Sequence, residues 1–265
     1  MGEPGPSTPS PGLDPQLQRA LAEAARAPRL LVASDFDGTL APIVEDPGAA
    51  RPDPAGLAAL VALGAVAGTR VALVSGRART DLARLSGAPA VVHLVGSHGA
   101  EVDEDFADGI SPAATELLSR LTDELTALVD RSPGVGLETK PSSVAVHVRG
   151  AEPDVAEQTL TTVRTGPASW DGVHVTEGKA VIELAVLAAD KGSALALLRG
   201  GSSDTVTVFL GDDVTDEKGF ARLEDSDVGV KVGAGQTLAA HRVAGTPEVT
   251  AILELLLAER RRSSG

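Results

Sequence analysis

Along the chain, short runs of aliphatic and β-branched residues alternate with segments in which apolar residues recur at helical spacing. The runs at 29–34, 70–75 and 91–96 predict strands, and two more follow at 205–211 and 227–232. Helical patterns lie between and around them. This alternation predicts an α/β fold built on a parallel sheet covered on both faces. The apolar stretch 57–68 has twelve residues and ends at Thr69-Arg70, too short to cross a bilayer, and it reads as a buried helix.

Between the third and fourth strands the rhythm changes. A helix is expected near 112–130, strands near 136–148, a helix near 153–164 and strands near 173–184, which describes an α+β domain inserted into the first. A sheet that is interrupted and then resumed needs two linkers, and two linked domains enclose a cleft. The expected division is a tail and lead-in helix at 1–28, a core formed by 29–101 with 187–265, and an inserted domain at 102–186. The first fifteen residues hold five prolines and three glycines, a composition that favours disorder.

Composition narrows the partners. Of 265 residues, 43% are hydrophobic and 23% charged, enough to bury one substantial core with a smaller second one. The 23 Lys and Arg stand against 37 Asp and Glu, a net charge of -14 with no basic stripe, which argues against nucleic acid or an anionic membrane as partner. The chain contains no cysteine, so disulfides, thiolate catalysis and cysteine-based zinc sites are excluded. With no secretory signal pattern at its start, a cytoplasmic protein is expected.

The chemistry is concentrated at strand ends. Asp35-Phe36-Asp37-Gly38-Thr39 follows the first strand, and carboxylates two apart on an extended segment face the same way. Alone it could be a polar turn. A calcium loop of the EF-hand kind is excluded, because it should follow a helix and its sixth position is Leu40 where glycine is required. Gly211-Asp212-Asp213-Val214-Thr215-Asp216-Glu217 follows the fourth strand; if a helix starts there, Asp212 and Asp216 stand one turn apart. Acids at a helix start are ordinary capping, but four within six residues exceed that need. Two acidic loops that meet repel unless a cation lies between them, and hard oxygen ligands suit Mg²⁺. Ser75 ends the second strand, and Asp190-Lys191-Gly192 opens the segment leading to the fourth. In open α/β sheets ligands bind beyond the carboxyl ends of the strands, where Asp35, Ser75 and Asp212 all fall.

These residues match the demands of phosphoryl transfer, which are positioning, charge neutralisation and a nucleophile. Asp35 would attack phosphorus and form an acyl-phosphate. Asp37 would protonate the leaving oxygen and later take a proton from water. Ser75, Lys191 and the backbone N–H groups of Gly38 and Thr39 would hold the phosphoryl oxygens. Mg²⁺ would be held by Asp35, Asp212 and the carbonyl of Asp37. Asp216 would hold either Lys191 or a metal-bound water.

The order of these four pieces resembles the signature motifs of the haloacid-dehalogenase (HAD) phosphatases, over nearly the whole chain after the tail. The resemblance implies a doubly wound parallel-sheet core with an inserted α+β cap domain, an aspartate nucleophile and a Mg²⁺ cofactor. Within that superfamily, residues 35–43, 96–101 and 211–217 are similar to motifs of trehalose-6-phosphate phosphatases. The implied substrate is a disaccharide phosphate, contacted by Gly38, Thr39, Arg77, Ser97, His98 and Glu101 of the core. From the cap, Glu138, Lys140, His147, Arg149, Lys179 and Glu183 would contact the sugar, since a Glu/Lys set offers both acceptors and donors. Ala185-Val186 stands where the family usually has Arg-Pro, which removes a cation near the hinge. Another sugar phosphate, such as sucrose-6-phosphate or mannosyl-3-phosphoglycerate, would require the same chemistry and a different cap. A non-catalytic regulatory subunit would be marked by loss of the nucleophile, and Asp35 is present. The length leaves no room for an attached synthase, so a separate trehalose-6-phosphate synthase is the expected pathway neighbour. Trp170 reads as a partly buried cap residue.

Overall fold

The central strand is β1 (Arg29–Ser34), an aliphatic run of which only the first residue is exposed. In the computed structural model, which describes residues 12–101, 112–140, 142–187, 189–200 and 204–263, five further strands join it. They are β2 (Thr69–Val74), β3 (Val92–Val95), β8 (Thr205–Gly211), β9 (Val228–Val232) and β10 (His241–Val243). The sheet is parallel throughout, in the order β10-β9-β8-β1-β2-β3. From β1 the chain steps outward through β2 and β3, then returns to the other side of β1 and steps outward again. Such a reversal opens a crevice at the carboxyl ends of the strands beside it.

Alternate residues of the buried strands face opposite layers. Leu30, Val32, Val71 and Leu73 pack on one side with α1 (Pro15–Ala24), α2 (Pro54–Gly64) and α8 (Thr246–Ser263). Leu31, Ala33, Ala72 and Val74 pack on the other with α6 (Lys191–Arg199) and Phe220 of α7 (Glu217–Phe220). The sheet is thus doubly wound. Asp14 and Asp53 cap α1 and α2, each with proline in the first turn, the pairing that fixes a helix start. The apolar run at 57–68 is only partly helical: α2 begins three residues earlier and stops at Gly64, a poor helix former. The remainder forms the turn into β2. β10 was not expected, because His241-Arg242-Val243 has no apolar run to announce it.

The second sheet comprises β4 (Gly136–Lys140), β5 (Ser143–His147), β6 (His174–Gly178) and β7 (Val181–Ala185). It is antiparallel, in the order β4-β5-β7-β6. One face, with Val144, Val146, Ile182 and Leu184, packs on α4 (Pro112–Val129) and α5 (Pro153–Thr165). Trp170 is packed against this cluster, with Arg120 stacked 4.8 Å from its ring centroid. The other face is polar. Glu138, Ala145, Glu183 and Thr176 form one row across it, and Lys140, Ser143, Ala185 and His174 the next. The expected tail residues 1–11, the start of the inserted domain at 102–111, and Pro141 lie outside the described residues.

At the amino end of the main sheet, Arg260 of α8 ties three segments together. Its buried guanidinium donates to the carbonyls of Ala25 (2.9 Å) and Gly68 (3.0 Å) and to the hydroxyl of Thr69 (3.0 Å). Arg260→Met strands those acceptors, so urea denaturation is expected to show a loss of about 2–4 kcal/mol. This end is remote from the crevice, and any catalytic rate of the folded variant should be unchanged.

Candidate active site

Asp35 is the first residue beyond β1, and its N–H donates 2.8 Å to the Leu210 carbonyl of β8, so the neighbouring strand fixes its place. Lys191 opens α6 behind a capping box in which Asp190 and Ser193 satisfy each other's backbone N–H groups. That cap aims the lysine into the crevice. Its ammonium donates to Asp35 Oδ1 and to Asp216 Oδ1, both at 2.6 Å, with all three side chains buried. Of the two partners expected for Asp216, Lys191 is the one it touches here.

Asp212 follows β8 and approaches the first loop through Gly38. A Cβ at Gly38 would lie 2.1 Å from Asp212 Oδ2, and Gly38 also has φ +84°, so only glycine lets the two acidic loops meet. Thr39 Oγ1 donates to Asp212 Oδ1 at 3.4 Å. The expected helix start at Asp213 is a tight 3-10 turn (Val214–Asp216), in which the Asp213 N–H donates 2.9 Å to Asp216 Oδ2. Oxygens of Asp35, Asp212 and Asp216 all lie within 4.8 Å of one another.

This crowding shifts the acids. Burial, with the charges of Asp216 and Asp212, pushes Asp35 well above its ordinary value, although Lys191 opposes the shift. Burial and the Asp216 charge push Asp212 up to about 6. Lys191 is held above its ordinary value by Asp35 and Asp216 in spite of its burial. Three carboxylates against one ammonium leave excess negative charge, and the hard oxygen donors suit Mg²⁺. Asp35, Asp212 and Asp216 are the residues whose carboxylate oxygens could hold such an ion, with Asp35 and Asp216 each also accepting from Lys191.

Ser75 lies just past β2, buried, its hydroxyl accepting the Arg77 N–H at 3.2 Å. Arg77 was expected at the substrate. Its guanidinium instead forks onto the Asp37 carboxylate, with Nε and Nη2 each 2.6 Å from an oxygen. Beyond β3 the hinge turns sharply: Ser97 and His98 have φ of 46° and 56°, a conformation that is costly without glycine. Ser97 and Glu101 are buried and hydrogen-bond to each other, and Glu101 also accepts the Arg79 N–H at 3.2 Å. Their side chains therefore brace the hinge.

The polar face of the second sheet meets this crevice. Lys140 donates to the Gly76 carbonyl at 2.9 Å and to Glu183 Oε2 at 3.0 Å. Glu183 also accepts from Ser143 at 2.6 Å and lies 3.5 Å from His98 Nε2. Burial would raise Glu183, but the bonds from His98 and Ser143 and the Lys140 charge outweigh it and bring it to about 2. His147 bonds Glu138 at 2.9 Å nearer the far end of the sheet. Lys179 lies in the turn between β6 and β7, four residues and about 13 Å from Glu183 along the strand. Lys179 and Arg149 are exposed. The structure thus gathers Lys140, Glu183 and His98, and leaves Lys179 and Arg149 outside that cluster.

Sequence reasoning missed Lys231. It is buried on β9 and bonds the Asp212 carbonyl, with the Asp213 carbonyl at 3.5 Å, so it steadies the acidic loop from behind. A lysine inside the otherwise apolar run Val228-Gly229-Val230-Lys231-Val232 was the available signal.

A doubly wound parallel sheet, an inserted antiparallel domain and an Asp-x-Asp loop beyond the first strand define a phosphatase fold of the HAD type. Within it, the chain belongs to the trehalose-phosphatase family, whose model matches residues 33–248. A trehalose-phosphate phosphatase of Mycobacterium avium is 39% identical over 208 residues, covering 73% of this chain and 51% of the relative. The chain therefore spans about half the length of the curated relatives it matches. The C-terminal domain of the Candida albicans trehalose-6-phosphate phosphatase shares the fold, with a TM-score of 0.74 and 23% identity over 95% of this chain and 99% of that one. A trehalose-6-phosphate phosphatase related protein superposes with a TM-score of 0.70 and 27% identity, over 86% and 97%.

The Asp212 shift fixes a sign. Between its ordinary 3.8 and about 6 the folded protein binds more protons at this group than the unfolded chain does, so metal-free stability falls as pH rises through that window. Asp212→Asn is expected to remove this contribution and to stabilise metal-free protein at pH 7 by about 1–3 kcal/mol. Thermal melts in EDTA and in Mg²⁺ check it, and the variant should also lose the stabilisation that Mg²⁺ gives the wild type.

Proposed function

We propose that this chain hydrolyses trehalose 6-phosphate to trehalose and inorganic phosphate through an aspartyl-phosphate on Asp35. The observation that carries the chemistry is the buried ammonium of Lys191 held 2.6 Å from both Asp35 and Asp216, beside Asp212. Family membership and the polar sheet face with Glu138, Lys140 and Glu183 carry the choice of substrate.

In the first half-reaction an oxygen of Asp35 forms a bond to phosphorus as the bond from phosphorus to the sugar oxygen breaks. Asp37 gives its proton to that oxygen, and trehalose leaves as a neutral alcohol. In the second, water attacks phosphorus and gives a proton to Asp37, the bond from phosphorus to Asp35 breaks, and phosphate is released. Lys191 orients Asp35 and offsets its charge as the anionic phosphoryl group approaches, while Ser75 and the N–H of Thr39 hold phosphoryl oxygens; the Gly38 N–H, expected there too, is instead donated to the Ala41 carbonyl at 2.7 Å. Mg²⁺ held by Asp35, Asp212 and the Asp37 carbonyl would neutralise the charge shared by nucleophile and substrate.

Lys140 and Glu183 are bonded to each other and to the core side of the cleft. In this reading sugar hydroxyls replace part of those bonds, so recognition exchanges one satisfied polar set for another. In this reading a trehalose-6-phosphate synthase supplies the substrate. Its charge confines it to the compartment in which it is made, and a cysteine-free chain suits the cytoplasm. No helix among the described residues is long and apolar enough to cross a membrane.

Phosphate release from trehalose 6-phosphate, sucrose 6-phosphate and glucose 6-phosphate, with Mg²⁺ or EDTA, tests the proposal. Wild type should act on trehalose 6-phosphate only with Mg²⁺, and Asp35→Asn should be slower by roughly 10³-fold or more. Preference for another sugar phosphate would overturn the substrate, an active Asp35→Asn the mechanism, and inactivity on all three the assignment as an enzyme.

A further inference from the structure

Arg77 is committed to Asp37 in a way that substrate binding alone does not explain. The fork uses two parallel N–H donors at 2.6 Å, one to each carboxylate oxygen, the arrangement that fixes both position and rotation. Among the described residues, Arg77 supplies both hydrogen bonds that the Asp37 side chain accepts. That side chain is 32% exposed on a loop and would otherwise be free to turn.

Arg77 is itself well anchored. Its N–H donates to Ser75 Oγ at 3.2 Å, its carbonyl accepts the Ser97 N–H at 2.8 Å, and its guanidinium lies 5.8 Å from the Phe36 ring centroid. These anchors belong to the end of β2, the hinge and the Asp35-Phe36-Asp37 loop.

We propose that Arg77 is the positioning residue of Asp37: its fork holds the carboxylate where a proton can pass to the leaving oxygen. The inference rests on the reaction proposed above and adds that Arg77 acts through Asp37, and not chiefly as a charge on the phosphate. The two roles separate by leaving group. A sugar alkoxide needs a proton as it leaves, whereas p-nitrophenolate does not, so in the first half-reaction a defect confined to Asp37 falls on one substrate and spares the other, while the second half-reaction, in which Asp37 takes the proton of water, is common to both.

The experiment compares wild type, Arg77→Ala, Arg77→Lys and Asp37→Asn with Arg77→Ala on the sugar phosphate and on p-nitrophenyl phosphate. Read as the pre-steady-state rate of alcohol release, Arg77→Ala should slow the first half-reaction on the sugar phosphate by roughly 10²-fold and the p-nitrophenol burst by less than about 3-fold. Lysine keeps the charge but not the fork, so Arg77→Lys should not restore the sugar-phosphate rate. In the Asp37→Asn background, Arg77→Ala should add less than about 3-fold, the mark of two residues acting as one unit. A retained p-nitrophenol burst also certifies folding. Equal losses on both substrates, rescue by lysine, or a full additional loss in the Asp37→Asn background would each overturn the proposal. Wild type inactive on every phosphomonoester would instead overturn the underlying reaction.

Discussion

Lys191 places one ammonium between Asp35 and Asp216, and much of the architecture serves that contact. A buried ammonium without partners, or three converging carboxylates without a cation, would cost several kcal/mol. Together they are mutually satisfied, though not neutral. Burial first, and then the remaining excess of negative charge, keep Asp35 and Asp212 above their ordinary values, and that excess suits a divalent ion. Stability and chemistry therefore pull in opposite directions at this spot, as is common where charges are gathered for reaction.

The contact depends on the order of the strands. Asp35 leaves β1, Asp212 leaves β8 beside it, and Lys191 enters from the helix that precedes β8, so three distant stretches converge at the switch point of the sheet. Glycine at position 38 is the condition for closeness, because any side chain there would occupy the space of the Asp212 carboxylate. Lys231 supports the same loop from behind. On the far side of the cleft, β4 and β7 present Lys140 and Glu183 in adjacent rows, and their bonds to Gly76 and His98 bring the polar sheet face against the core.

Much of this was legible in the sequence, for identifiable reasons. Long apolar runs announced five strands of the core sheet, and acids immediately after two of them announced the site. What escaped notice is of a different kind. His241-Arg242-Val243 forms an edge strand by pairing with β9, not by its own pattern. Lys231 reads as an interruption of a strand until its carbonyl partners are seen. Ser97 and Glu101 were expected at the substrate, and their bond to each other beside the left-handed turn at Ser97-His98 was not foreseen. Arg77 was expected at the substrate, and its fork onto Asp37 was not foreseen, since that contact depends on how β2 and β1 align. Side-chain direction at loop positions is set by long-range register, and local composition carries little of it.

The most direct measurement is chemical trapping of the intermediate. Enzyme quenched in acid during turnover of trehalose 6-phosphate, reduced with borohydride and mapped by peptide mass spectrometry should carry homoserine at position 35 and aspartate elsewhere, since borohydride reduces an acyl-phosphate but not a free carboxylate. Turnover with Asp35 unmodified at every quench time, or reduction at Asp212 or Asp216 in its place, would contradict the account.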